Sequence, residues 1–325
     1  MSFQTSVVIT LVCLFQMSGT VFSNDRINLR CYYGYEEDLY ACTLYNLNIT
    51  TNVEVDFFNG SHLPGLSNDD VKMMIFNNGT MIYLPAGMGI LFTNLLVIKV
   101  GDIFKPLPFK NLQRSSFNTL KKLTYLAIYT HNTDINIELD AFWDLKNLTL
   151  FYVNGRSNSS LVLQENTFRE NKRIRYVEIA ETYIEVLPRS LFRHNLLLDT
   201  VLLINCSIKT IDENIFETNT KLVNVELSDN KIEHLPTNLF SNKPELRHIF
   251  IDGNKLQTIE VDFTKLRRIE VVFLLNNTCT DAEYWSVTNY NYDVPFGNIY
   301  EFQNAIRANC SAHYRVPMGR WHGLV

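Results

Sequence analysis

One apolar pattern recurs in this chain at a fixed interval, and that interval limits what the chain can fold into. Leu198-x-x-Val201-x-Leu203-x-x-Cys206-x-Ile208 is followed by Leu222-x-x-Val225-x-Leu227-x-x-Asn230-x-Ile232, then by Leu246-x-x-Ile249-x-Ile251-x-x-Asn254-x-Leu256, each 24 residues after the last. A unit of this size cannot bury its own apolar face, so copies must stack as coils and share one core. Opening apolar residues recur at Val71, Leu95, Leu123, Leu148, Ile174, Leu198, Leu222, Leu246 and Ile269. With an irregular first coil placed around Val53 and Val55, the chain holds about ten coils.

The spacing is that of a leucine-rich repeat. Within a unit, Leu222, Val225, Leu227, Ile232 and Leu235 point inward. The alternation about Val225 and Leu227 predicts a short strand of a parallel sheet. Asn230 and Asn254 fall where the chain leaves that strand, a place for a buried amide to satisfy backbone groups of the neighbouring coil, and Thr182 and Cys206 share the position. Phenylalanines at 117, 142, 168, 192, 216, 240 and 263 each precede an opening residue by six. They predict a stacked spine of rings along the convex side. The early coils lack it, and Lys99 to Arg114, with Pro106 and Pro108, is expected to bulge as a longer loop. The expected class is therefore α/β: a curved parallel sheet on the concave face, short helical or irregular convex segments, and a cap at each end.

The ends carry the cysteines. Val7 to Phe15 is an apolar run of signal-peptide length ending in small residues, which predicts a leader over 1–23 and a mature start near Asn24. Cys31 and Cys42 bracket a tyrosine-rich hairpin, while Cys279 and Cys310 bracket the segment after the last coil. In an oxidising compartment these pair as 31 with 42 and 279 with 310, closing caps over 24–50 and 278–312 around repeats at 51–277 and leaving a tail at 313–325. Cys206 then stands alone, as a small buried residue at the asparagine position. Asn-x-Ser/Thr occurs at Asn48, Asn59, Asn78, Asn147, Asn158, Asn205, Asn276 and Asn309. The pattern predicts a glycoprotein, with Asn205 and Asn309 poorly used because each adjoins a cysteine expected to be buried or bridged. Asn78, Asn205 and Asn276 share the eighth position of their units, so their sugars would shield one rim.

Residues at the third, fifth and seventh positions project from the concave sheet. Tyr125, Tyr129, Leu150, Tyr152 and Tyr176 form one aromatic cluster there, and Leu202, Ile204, Phe250, Phe273 and Leu275 a second apolar group. Glu178, Glu226, Ser228, Asp229 and Asp252 lie between them. Such a patch marks a contact face, with Tyr125, Tyr129, Tyr152, Tyr176, Glu178, Leu202, Glu226, His248, Phe250, Asp252 and Phe273 as the partner-binding set. A solvated strand surface rich in β-formers is the plainer alternative.

Catalysis is not expected. HExxH, GxSxG, a phosphate-binding glycine loop and CxxC are all missing. His248 near Asp252 and Glu226 is the one constellation able to hold a metal or move a proton, and its convergence is not given by sequence; neither metal nor cofactor is expected. A net charge of -5 argues against nucleic acid.

The coils, the phenylalanine spine and the cysteine caps resemble the extracellular leucine-rich repeat proteins of insects. Among these the chain is similar, over about residues 24–312, to the short secreted immune proteins of mosquitoes and related flies, and more distantly to Toll-type receptor ectodomains. The resemblance implies a secreted, extracellular binding protein, engaging complement-like or other host proteins in innate immunity. The longer immune members continue into a coiled-coil tail with further cysteines, and this sequence ends 15 residues after Cys310, so a monomer or weak homodimer without membrane insertion is expected. The ligand class is an extracellular protein, or secondarily a glycan. A structural or adhesive matrix component and an inhibitor of a microbial enzyme remain the alternatives.

Overall fold

The computed structural model describes residues 25–286 and 297–311. The leader at 1–23, the tail at 313–325 and a stretch of the second cap at 287–296 lie outside them.

The repeat becomes a ladder of ten parallel strands. Cys42, Met74, Ile98, Leu126, Phe151, Val177, Val201, Val225, Ile249 and Val272 pair in unbroken register, each the inward fourth residue of its unit. All ten are fully buried in one core that runs the length of the described coils. The result is a leucine-rich repeat solenoid in which each coil rests on its neighbours.

The first rung is a correction. It is Leu39–Leu44, not the segment around Val53 and Val55. Leu39-x-x-Cys42-x-Leu44-x-x-Leu47-x-Ile49 fits the unit, with Cys42 taking an inward position. Val53 and Val55 are buried further along the same coil, where the backbone N–H of Val55 donates to Ala86 of the next. Cap and first coil therefore share residues.

Both ends are closed by strands. Arg26–Glu36 crosses the open amino end: its first half pairs in parallel with Glu54–Asn59, its second half antiparallel with Leu39–Leu44. Glu37 and Asp38 make the connecting turn with φ of 48° and 64°, the left-handed pair that matches strand twist in a two-residue hairpin. The Cys31–Cys42 disulfide fastens this lid. At the other end Glu283–Trp285 runs antiparallel to Val271–Phe273. The helix Ile299–Cys310 then lays Phe302 and Ile306 on the core, and the Cys279–Cys310 bridge ties it down.

The ring spine forms where the sequence places it. Phe117, Phe142, Phe168, Phe192 and Phe216 touch in succession, with centroids 5.6, 6.0, 6.3 and 6.1 Å apart, and the last three contacts are near parallel. Phe240 and Phe263 are buried at the same position, and Phe263 passes the contact to Phe302 of the capping helix at 5.5 Å. The loop expected from Lys99 to Arg114 is smaller than that. Lys99 and Val100 belong to the ladder, Gly101, Leu107, Phe109 and Leu112 are buried, and the protruding part is 102–106, around a turn in which Asp102 accepts the N–H groups of Phe104 and Lys105.

Two columns of polar side chains stitch the coils together. At the strand exit, Asn230 donates to the Leu203 carbonyl of the coil before, and its Oδ1 accepts from the backbone N–H of Cys206 and Ile208. Asn254 donates likewise to Leu227 and accepts from Ile232. The second column, on the convex side, was not anticipated. Asn171, Asn195 and Asn219 stand three residues after their phenylalanines, fully buried, and each donates to two carbonyls of the preceding coil. Phe-x-x-Asn at intervals of 24 was its signal in the sequence.

Candidate functional site

Strand pairing brings the concave side chains together in rows. Tyr152, Glu178, Leu202, Glu226, Phe250 and Phe273 are direct neighbours across six successive strands. Tyr125, Leu150, Tyr176, Thr200, Asn224, His248 and Val271 form a parallel row. Adjacent strands lie only about 5 Å apart, so these side chains stand shoulder to shoulder and each is partly covered by its neighbours. The partner-binding set is accordingly half-buried and not freely exposed. Among the described residues the most exposed large apolar side chain, Phe104 at 86%, lies off the sheet on the protruding turn.

The aromatic end is built from four tyrosines. The rings of Tyr129 and Tyr152 lie 4.8 Å apart, and the hydroxyl of Tyr176 donates to Glu178. Burial, reinforced by nearby tyrosines and carboxylates, pushes Tyr125 up to about 12 and raises Tyr152 and Tyr176 further. These phenols stay neutral and serve as hydrogen-bond donors with apolar bodies. Lys99 lies 5.9 Å over the Tyr125 ring and is held at 2.6 Å by Glu37 from the amino-terminal hairpin. Glu37 was missed in the sequence because its contact spans 62 residues.

The second group extends further than the sequence indicated. Phe250 meets Phe273 edge-on at 5.2 Å, and Phe273 meets Trp285 of the closing strand at 4.9 Å. Between the two groups the acidic residues crowd. Burial raises the Glu226 carboxyl above the ordinary range, and the charges of Asp252, Glu178 and Asp229 add to the shift. Ser228 donates to Asp252 at 2.8 Å.

His248 does not converge on Asp252 and Glu226. Its Nδ1 is hydrogen-bonded to Asn224 Oδ1, and its Nε2 lies 3.4 Å from Glu270. Among the described residues no group of three or more histidine, cysteine, aspartate or glutamate side chains is placed to hold a metal ion.

The glycosylation candidates separate by environment. Asn48, Asn59, Asn158 and Asn276 are exposed and Asn78 is partly so. Asn147 is engaged: its Nδ2 donates to the Lys121 carbonyl and its Oδ1 accepts from Arg173. Asn205 is exposed, although Cys206 beside it is buried. The eighth position of the unit adopts left-handed backbone, with φ of 51° at Glu181, 51° at Asn205, 57° at Asp229, 64° at Gly253 and 54° at Asn276. That conformation favours Asn, Asp and Gly, which gives a backbone reason for asparagine at 205 and 276 independent of any sugar.

A family model described as the BspA type leucine-rich repeat region matches residues 136–270 in six copies. A comparison of the sequence with curated proteins finds no match. Among solved structures the fold is similar to TLR13 in its complex with ssRNA13, at 19% identity and a TM-score of 0.55, over 65% of this chain and 29% of that one. It also aligns with Toll in the Drosophila Toll–Spatzle complex, at 16% identity and a TM-score of 0.37, over 69% of this chain and 36% of that one. An internalin (inlF) from Listeria monocytogenes aligns at 14% identity and a TM-score of 0.47, over 64% and 55% of the two chains. The chain thus spans well under half the length of the two receptors. What the repeat match and the TLR13 likeness establish together is the fold, a leucine-rich repeat solenoid.

Proposed function

We propose that this chain is a secreted, glycosylated recognition protein that binds an extracellular protein partner through its concave face and acts in innate immunity. The observation that carries the reading is the composition of that face. Two aromatic platforms, Tyr125/Tyr129/Tyr152/Tyr176 and Phe250/Phe273/Trp285, flank a block of carboxylates at Glu178, Glu226 and Asp252, while Lys99 is already neutralised by Glu37. Half-buried aromatic rings supply contact area with little side-chain entropy to lose, and the crowded carboxylates favour a partner that presents lysine or arginine beside apolar side chains. The same acidity disfavours a polyanion such as the RNA held by TLR13.

The partition that goes with this reading is a leader over 1–23, an amino-terminal cap that shares residues with a first coil beginning at Leu39, repeats running to 277, a second cap at 278–312 and a tail at 313–325, with sugars on Asn48, Asn59, Asn78, Asn158 and Asn276. Two paired disulfides suit an oxidising compartment. Among the described residues no helix is long and apolar enough to cross a membrane.

The test is affinity capture from native fluid with the glycosylated protein beside a Tyr152→Ala/Phe250→Ala double variant of unchanged circular dichroism. A partner retained by the parent and lost by the variant, with binding that weakens as salt is raised, is the expected result. Equal capture by both would move recognition to the loops or caps.

A further inference from the structure

Away from the concave face, the convex asparagine column stops at a lysine. Phe-x-x-Asn at 168–171, 192–195 and 216–219 becomes Phe240-Ser241-Asn242-Lys243. Each asparagine reaches back to two carbonyls of the coil before it. Lys243 does not take up that role: its Nζ turns to the carbonyl of Ser241 in its own coil, at 2.7 Å. The residue is 4% exposed, and among the described residues its ammonium makes no ion pair within 4 Å. Glu217 acts on it only from a greater distance.

A buried ammonium with one acceptor for three donors is an unfavourable arrangement unless something else meets it. Lys243 lines an open cleft of about 320 Å³ between the last coils, together with Lys265, Arg267, Asn242 and Asp262. Asp262 balances these cations only in part, through Lys265. Its carboxylate accepts from Thr264 and is shared by Lys265 at 3.7 Å and Arg307 at 3.4 Å.

We infer that this cleft is a binding site for the anionic group of a small ligand, a carboxylate, phosphate or sulfate, with Lys243 as the buried anchor and Lys265 and Arg267 at the mouth. The site lies on the opposite side of the coils from the aromatic platforms and does not depend on what the concave face binds. Burial lowers the Lys243 ammonium to about 8, against an opposing pull from Glu217. An anion binds the protonated form, so its affinity is full below that value and is lost as pH rises through it.

The experiment titrates the full chain with inorganic phosphate, sulfate, acetate and glucuronate, each at ionic strength matched with chloride, and reads Tm and calorimetric binding. Lys243→Asn restores the asparagine of the column and keeps the coil packed. The expected result is a saturable rise in Tm for the parent with at least one probe, weakened about tenfold or more in K243N and fading above about pH 8. Response to phosphate or sulfate alone assigns the group to a free or ester oxyanion; response to acetate or glucuronate assigns it to a carboxylate. If K243N fails to fold, protection of Lys243 from reductive methylation by the same probes gives the reading on the unaltered chain. Equal responses of parent and K243N, no response to any probe, or no protection where protection is the readout, would overturn the assignment.

Discussion

Asn230 accepts the backbone N–H of Cys206 in the preceding coil at 3.0 Å, and so joins two successive occupants of the same repeat position. The same Oδ1 also takes the N–H of Ile208, and Nδ2 donates to the carbonyls of Leu203, Leu227 and Ser228. Asn230→Ala strands two buried N–H groups at once and should cost about 3 kcal/mol or more in denaturant unfolding. Cys206 makes the smaller bridge its thiol allows, donating to the Ile179 carbonyl of the coil before at 3.2 Å; it forms no disulfide, and burial pushes its thiol up to about 12. Alkylation at neutral pH should therefore reach Cys206 only in denaturant. Rapid labelling of the folded chain would contradict the buried register.

The phenylalanine spine is the second test. Phe216 is fully buried and stacks on Phe192. Phe216→Ala should cost about 3 to 5 kcal/mol, measured by urea unfolding, because the stacked neighbours cannot collapse into the space it leaves. A loss below about 1 kcal/mol, the range of a surface change, would mean that the rings are not packed as described.

The acidic block predicts a pH dependence of definite sign. The folded state raises the Glu226 carboxyl above its ordinary value, so between the two values the folded chain binds more protons than the unfolded one. Stability should then fall as pH rises through that window and stay lower above it. Glu226→Gln removes the effect and should be the more stable protein near neutrality, with the advantage shrinking as pH falls through that window and gone below about pH 4. A parent-minus-variant difference in Tm that stays flat from about pH 4 to 7 would refute the crowding.

Glycopeptide mapping separates local environment from motif. Asn147 should be bare, since its Nδ2 is committed to Lys121 and its Oδ1 to Arg173. Asn48, Asn59 and Asn158 should be occupied, and Asn205, turned to solvent at a left-handed position, should be available despite its buried neighbour. Full occupancy at Asn147 would show that the coil contact there yields to the sugar.

Much of the fold can be read from the chain itself, because contacts in a solenoid are nearest-neighbour and periodic. A residue 24 positions away is the residue next door, so Val201, Val225 and Ile249, or Phe192 and Phe216, declare their contacts by spacing. The pairing of Cys31 with Cys42 and of Cys279 with Cys310 followed from their placement at the two ends. Tertiary structure decided what breaks the period. The first coil began at Leu39 because Cys42 fills an inward position that composition disguises, and Trp285 joined Phe273 because a strand turned back on the last rung. Glu37 reached Lys99 across 62 residues, His248 chose Asn224 and Glu270 over the carboxylates beside it in the pattern, and Lys243 turned away from the asparagine column. Hydrophobic register is set by local alternation summed over many coils. The direction of a single polar side chain is set by which partners the folded neighbours leave within hydrogen-bond reach, a property of three-dimensional distance that no repeat encodes.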